Sequence, residues 1–315
     1  MPLLDGLLEG ETKCTLCHGS LLQIVYNSRR IEQKSPFHKP YCIQIGMKSE
    51  DYAQGDGFQA EKRTIFSSEW LPACAEAQIP KAGDFLCLTV GGWSIVVTRD
   101  ADGTVTVLRN MCRHQAMPVV GVPSGNCQTF RCRFHGWTFD LTGKFVGAPP
   151  PVAPREPSAN HNMIALPKLI EAGMIFFSLD SLAAKPSLGP MLPAYGGTVV
   201  TEVDANWKVV VEQLLEEQVL RAEAFTWQSP LLAVRRPGST AVVEQVAPHT
   251  FLRTRLFTHF FGDEVDGQKN VDAEAFKARC ETLQASRAAG VMPTDDSALL
   301  SALHRKLEAV YAGSS

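Results

Sequence analysis

The chain has 315 residues, 45% of them hydrophobic and 20% charged, with 30 Lys and Arg against 33 Asp and Glu for a formal charge of −3. This is globular composition with length enough for a sizeable core and two domains, and it excludes intrinsic disorder, collagen and coiled coil. The charge balance leaves no basic surplus for nucleic acid or an anionic membrane. No apolar run reaches the ~18 residues that span a bilayer, and the N-terminus lacks signal-peptide features, so the expectation is a soluble cytoplasmic protein.

Nine cysteines, an odd number without an export signal, argue against a disulfide framework and leave core filling, nucleophilic or metal-binding roles. In chain order, Cys14-Thr15-Leu16-Cys17-His18 comes first. It matches the C-x-x-C-H form of covalent haem attachment and would also suit zinc, while the plain reading is an uncommitted N-terminal segment. Residues 85–90, 94–98 and 104–108 then read as strands, with Gly91-Gly92 and Asp102-Gly103 as the turns between them.

Two clusters follow, Cys112-Arg113-His114 and Cys132-Arg133-Phe134-His135, with 17 residues between His114 and Cys132. The flanking Phe130-Arg131 and Trp137-Thr138-Phe139-Asp140 read as a hairpin carrying the second cluster. Each loop offers one thiol and one imidazole. Two such loops facing each other can hold two irons asymmetrically, both sulfurs on one and both imidazoles on the other, which is the ligation of a Rieske [2Fe–2S] centre. A Cys2His2 zinc site is the alternative, although tetrahedral zinc usually pairs C-x2-4-C with H-x3-5-H.

The segment resembles the Rieske domain of the Rieske non-heme iron oxygenases, the family of ring-hydroxylating dioxygenases and choline monooxygenases. The resemblance extends from Phe66-Ser67-Ser68-Glu69-Trp70 through Leu108-Arg109-Asn110-Met111 before the first loop, and Phe134 to Asp140 with Gly143 after the second. It ends at Gly173-Met174-Ile175-Phe176-Phe177. It implies an α+β fold: an antiparallel β Rieske domain over 66–182, then a truncated helix-grip-like catalytic-type domain, an antiparallel sheet with helices, over 183–315. Residues 1–65 are expected to pack on the latter. Neither ligand loop carries the additional cysteine of respiratory Rieske proteins, and Trp137 stands where those have a hydroxyl. Fewer donors to the cluster imply a potential at the low end of the Rieske range.

The family's catalytic domain binds a mononuclear Fe(II) through two histidines and a carboxylate. The resemblance places the first two ligands on a helix that opens with Asn206-Trp207-Lys208, in the pattern D/E-x2-H-x4-H. Glu217 takes the acidic position, which in the family links the Rieske centre of one subunit to the iron of its neighbour. The histidine positions hold Leu220 and Phe225, which cannot bind iron. Asp295 and Asp296 resemble the segment that supplies the carboxylate, and they equally suit a helix N-terminus. Glu212, Glu216 and Glu223 lie near one helical face and read as a solvated acidic stripe opposite Trp207, Val210, Val211 and Leu214, with substitute iron ligation as the alternative.

His249 and His259, in the strand segment 244–261, read as core or surface histidines, with iron ligation as the alternative. After Phe225 the chain moves at once into strands, where the family has a longer pocket-lining stretch. Two helices, 272–289 and 294–312, are expected to follow. The resemblance thus implies an oxidoreductase subunit that takes electrons from an NAD(P)H-dependent reductase or ferredoxin, in a homo- or hetero-trimer with an oxygenase homologue. A self-contained monooxygenase with an atypical iron site, a ferredoxin-like carrier, and a deletion in the coding sequence stand as alternatives.

Overall fold

The computed structural model describes residues 23–26, 47–180, 182–221, 225–228, 230–263, 273–292, 303–305 and 307. Cys14, Cys17, His18, Glu223, Asp295 and Asp296 lie outside the described residues, as does most of the expected helix 294–312, of which Leu303, His304, Arg305 and Leu307 are helical.

An early strand β1 (Gln23–Tyr26) and three short helices, α1 (Ser49–Ala53), α2 (Gly55–Arg63) and α3 (Ile65–Ser68), precede β2 (Leu71–Ala75). Short β-branched and aromatic runs broken by turn glycines then give β3 (Asp84–Val90), β4 (Trp93–Arg99), β5 (Val105–Arg109) and β6 (Ser124–Asn126). These form a four-stranded antiparallel sheet in the order β5-β4-β3-β6. The strands expected at 85–90, 94–98 and 104–108 are all present. The expected hairpin is also present as β7 (Thr129–Arg131) and β8 (Thr138–Asp140), joined by β9 (Phe145–Gly147) in a three-stranded sheet. β10 (Lys168–Glu171) and β11 (Met174–Phe177) complete a third sheet with β2.

The second half is a six-stranded antiparallel sheet over a long helix. β12 (Tyr195–Val203), α4 (Trp207–Arg221), β13 (Phe225–Gln228), β14 (Leu232–Arg235), β15 (Ala241–Thr250) and β16 (Arg253–Phe261) precede the helix α5 (Ala273–Ala288). The sheet order is β1-β13-β14-β15-β16-β12. Phe225, expected as the last position of a helical pattern, opens a strand paired with β14. Among the described residues no helix is long and apolar enough to cross a membrane.

From Trp207 to Leu215 α4 shows no solvent stripe: every residue in that run is buried, and Glu216 after it is exposed. The polar side chains of this buried run, Lys208, Glu212 and Gln213, each have a hydrogen-bond partner. Asn206 caps it, its Oδ1 accepting from the Lys208 N–H at 3.1 Å while its Nδ2 donates to the Phe251 carbonyl at 2.9 Å. Trp207 Nε1 and Lys208 Nζ both reach the buried carboxylate of Glu61 on α2, at 2.6 Å each. The Asn-Trp-Lys run is thus a cap and a clamp.

The solvated acidic stripe needs correction at Glu212, which is 3% exposed. Its Oε1 accepts from the Tyr52 hydroxyl at 2.6 Å and from His304 Nε2 at 3.0 Å, and its Oε2 accepts from Arg287 at 3.0 and 3.1 Å. One carboxylate ties α1, α4, α5 and the helical residues 303–305 together. The apolar core follows the same path. Phe66, Val97, Val107, Trp207, Leu214, Trp227 and Val246 share one cluster, so the four-stranded sheet and the six-stranded sheet bury their faces in common.

Candidate metal centre

The four residues singled out as ligands stand on two loops at one end of the small sheets. Cys112 and Cys132 are each 2% exposed and sit in an apolar cluster with Leu108, Val119, Phe130, Trp137 and Phe139. The two loop tips are built alike. In the first, the Cys112 N–H donates to the Met117 carbonyl and the Ala116 N–H to the Cys112 carbonyl, both at 2.8 Å. In the second, the Cys132 N–H donates to the Trp137 carbonyl at 2.8 Å and the Gly136 N–H to the Cys132 carbonyl at 2.9 Å. The fourth residue after each cysteine is left-handed, Ala116 at φ 57° and Gly136 at φ 71°.

This repetition brings the histidines together. The rings of His114 and His135 meet edge to face, centroids 4.7 Å apart and planes at 86°. Trp137 lies flat on His114, 5.2 Å away at 9°, and its indole N–H is anchored on the Val152 carbonyl at 2.9 Å. Both histidines are half-buried, with the cysteines beneath them.

The Cys112 thiol lies above its ordinary value, so its thiolate would need a metal to hold it. Burial pushes the Cys112 thiol up, and the neighbouring Cys132 thiol pushes it further, while the backbone N–H groups of His114 and Gln115 point at the sulfur and pull it down. His114 Nδ1 is buried with no hydrogen-bond partner. An imidazole nitrogen left bare in an apolar site costs free energy unless something satisfies it, and a metal ion does so. Two adjacent buried thiols, two imidazoles and sulfur-directed N–H groups are a donor set that fits a [2Fe–2S] cluster, which Cys112, Cys132, His114 and His135 could hold.

Comparison with known proteins agrees with the geometry. A family model described as the Rieske [2Fe–2S] domain matches residues 69–167. The chain carries a Rieske domain. It is homologous to Rieske oxygenase alpha subunits. The alpha subunit of the N,N-dimethyl phenylurea N-demethylase of Sphingobium sp. (strain YBL2) is 36% identical over 159 residues, 48% of this chain and 33% of that protein. The biphenyl dioxygenase alpha subunit of Metapseudomonas furukawaii is 35% identical over 98 residues, 31% of this chain and 21% of that protein. The chain thus matches a third or less of the length of these two relatives. Among solved structures, the apo form of a quaternary ammonium Rieske monooxygenase, CntA, aligns with TM-score 0.68 at 18% identity, covering 88% of this chain and 99% of that one. The fold is therefore shared well beyond the Rieske domain.

The residues that a mononuclear iron would need do not come together among the described residues. Leu220 on α4 and Phe225 on β13 carry no donor atom. The histidines weighed as substitutes cannot share an ion. His259 pairs with Val243 in the β15–β16 ladder, and His249 lies six residues further along β15, about 20 Å at strand rise. His259 is also fully buried with both ring nitrogens engaged, Nδ1 with Thr198 Oγ1 at 2.6 Å and Nε2 with Gln245 Oε1 at 3.0 Å. The expected alternative, Asp295 or Asp296 with His249 or His259, needs aspartates that lie outside the described residues. Glu217 accepts from Arg279 of α5 at 2.6 and 3.1 Å and from Gln213 at 3.3 Å.

Sequence reasoning did not anticipate the roles of two groups that shape the centre. Trp137, read from the resemblance only for the hydroxyl it lacks, stacks on His114. Asn110, 5% exposed and two residues before Cys112, bonds across the first loop.

Proposed function

We propose that Cys112 and Cys132 hold one iron of the Rieske cluster and His114 and His135 the other, and that the chain relays electrons from a reductase or ferredoxin toward O2-dependent oxidation of an organic substrate. The observation that carries this is the edge-to-face contact of His114 and His135 above two buried cysteines on loops of matching geometry. When bound, the cluster takes up and passes on one electron at a time.

The chain's own groups prepare the site. Phe130, Phe139 and Leu108 exclude water from the thiols. Trp137 fixes the plane of His114. The N–H groups of His114 and Gln115 stabilise negative charge on the Cys112 sulfur, while the indole N–H of Trp137 is committed to a backbone carbonyl. This donor count supports a potential at the low end of the Rieske range.

The donorless positions Leu220 and Phe225 support a subunit that acts as an electron-transfer or structural partner of an active homologue, in a cytoplasmic trimer. Glu217 is the proposed electron bridge toward that neighbour. The boundaries that go with this reading are 1–65, 66–182 and 183–315. The Tyr52–Glu212 and Trp207–Glu61 bonds support the first segment packing on the third.

The deciding measurement is the iron and acid-labile sulfide content of anaerobically purified protein. Two irons and two sulfides per chain are expected, with loss of the Rieske optical spectrum in His114→Ala and His135→Ala. A third iron that binds nitric oxide would overturn the partner-subunit reading, and a spectrum that survives either substitution would overturn the ligand assignment.

A further inference from the structure

The two ligand loops match at their tips and differ at their bases. The second loop stands on a backbone ladder, with Phe130 facing Phe139 and Arg131 facing Thr138 across β7 and β8. The first has no ladder: β5 ends at Arg109, and residues 117–122 belong to no strand.

One side chain takes the ladder's place. Asn110 Oδ1 accepts from the backbone N–H of Val119 at 3.0 Å and of Val120 at 2.8 Å. Its Nδ2 donates to the Val120 carbonyl at 2.8 Å, with Ser94 Oγ at 3.3 Å and Cys87 Sγ at 3.2 Å on its other side. Its own N–H donates to the Ser94 carbonyl at 3.0 Å. A primary amide carries an acceptor and donors on one plane, so it engages the N–H and C=O of Val120 together, as a partner strand would. The loop's exit is thereby tied to its entry, and both to β4.

We infer that Asn110 is the positioning residue of the first ligand loop, holding Cys112 Sγ and His114 Nδ1 in place relative to the second loop. The inference rests on the assignment of Cys112 and His114 as ligands. Asparagine alone among similar residues serves here. Aspartate keeps the two accepting bonds but sets a carboxylate oxygen against the Val120 carbonyl, and leucine strands two buried N–H groups and a carbonyl.

The test uses the full chain with its cluster, in Asn110→Asp, Asn110→Leu and, as a control, Asn126→Ala. Asn126 bonds to the Ala82 carbonyl and to Asp84, away from both ligand loops. The readouts are the g values of the reduced cluster, its midpoint potential, and the rate of iron release to a chelator. Asn110→Leu is expected to release iron about 10-fold faster, the usual effect of losing a group that orients a ligand, with shifted g values and potential. Asn110→Asp falls between it and the parent, and Asn126→Ala changes none of the three.

Should Asn110→Leu fail to fold, Asn110→Asp decides. If it matches the parent in g values, potential and release rate, the inference is overturned. The parallel variant His114→Ala separates the two claims: a surviving spectrum there defeats the ligand assignment itself, whereas a lost spectrum beside a parent-like Asn110→Asp defeats only the role of Asn110.

Discussion

His259 Nε2 donates to Gln245 Oε1 at 3.0 Å, and the rest of the network fixes the direction. The Gln245 amide NH2 is committed to the carbonyls of Pro72 and Ala73, at 3.1 and 2.9 Å, so its oxygen can only accept. His259 therefore carries its proton on Nε2, and Nδ1 accepts from Thr198, whose hydroxyl in turn accepts from Tyr195 at 2.7 Å. The imidazole is neutral, and burial lowers it from 6.5 to about 3. The unfolded chain binds this proton more readily between those values, so stability is full above pH 6.5 and falls as pH drops toward 3, by at most about 1.4 kcal/mol per pH unit. Urea unfolding at pH 7.5 and 5.0 should show this difference, and His259→Gln should shrink it. An undiminished difference would mean that another group titrates.

Glu212 works in the same protonation sense, but through a charge that the fold retains and not through a neutral ring. Burial raises its carboxyl, but the His304 hydrogen bond, the Arg287 charge and the Tyr52 hydroxyl outweigh that and hold it below 4.5. Its stabilising charge is present above the ordinary carboxyl value and is lost as pH falls through the depressed one. Glu212→Gln should cost about 3–5 kcal/mol in urea unfolding, because it leaves Arg287 buried without its counter-charge. Removing both charges in Glu212→Gln/Arg287→Met should recover part of that loss. A double variant as weak as the single one would assign the cost to shape rather than to the stranded guanidinium.

The contrast between these groups and the ligand loops shows what could be read from the chain. Cys112, His114, Cys132 and His135 lie within two short windows, and the strands around them alternate visibly, so local chemistry was enough to group them as one candidate site. Glu212 gave the wrong signal because a helical wheel assumes a wet side. The groups that bury it, Tyr52, Arg287 and His304, come from segments 160, 75 and 92 residues away. His259 likewise depends on the register of β15 against β16, which spacing alone does not set.

The matched loop tips make opposite predictions for two small residues. Ala116 adopts a left-handed conformation at φ 57° that glycine adopts freely, as Gly136 does at φ 71°. That conformation costs a residue with a Cβ about 1–2 kcal/mol, while glycine loses about 0.5–1 kcal/mol in chain entropy. Ala116→Gly should raise stability by up to about 1 kcal/mol. Gly136→Ala should lower it by about 1–2 kcal/mol, since its Cβ would also meet Pro149 at 3.1 Å. Thermal unfolding of the two variants should move in opposite directions, and a shift of both to lower temperature would show that the tips are not equivalent.

The surface around the histidine edge bears on the electron donor. Arg113, Arg131 and Arg133 are exposed, Phe134 between Cys132 and His135 is 54% exposed, and residues 109–139 contain no Asp or Glu. An exposed apolar residue with exposed arginines near it in the sequence suits an acidic donor protein, and such pairs associate faster than uncharged ones by about 10-fold or more at low salt. Arg131→Glu/Arg133→Glu should slow cluster reduction by an acidic ferredoxin about 10-fold in stopped flow at low ionic strength, and less at high. Reduction by a small neutral reductant should keep its rate, because the substituted side chains lie outside the ligand set. Equal slowing with both reductants would instead place the effect in the cluster, and no slowing with the ferredoxin would place the donor on another face.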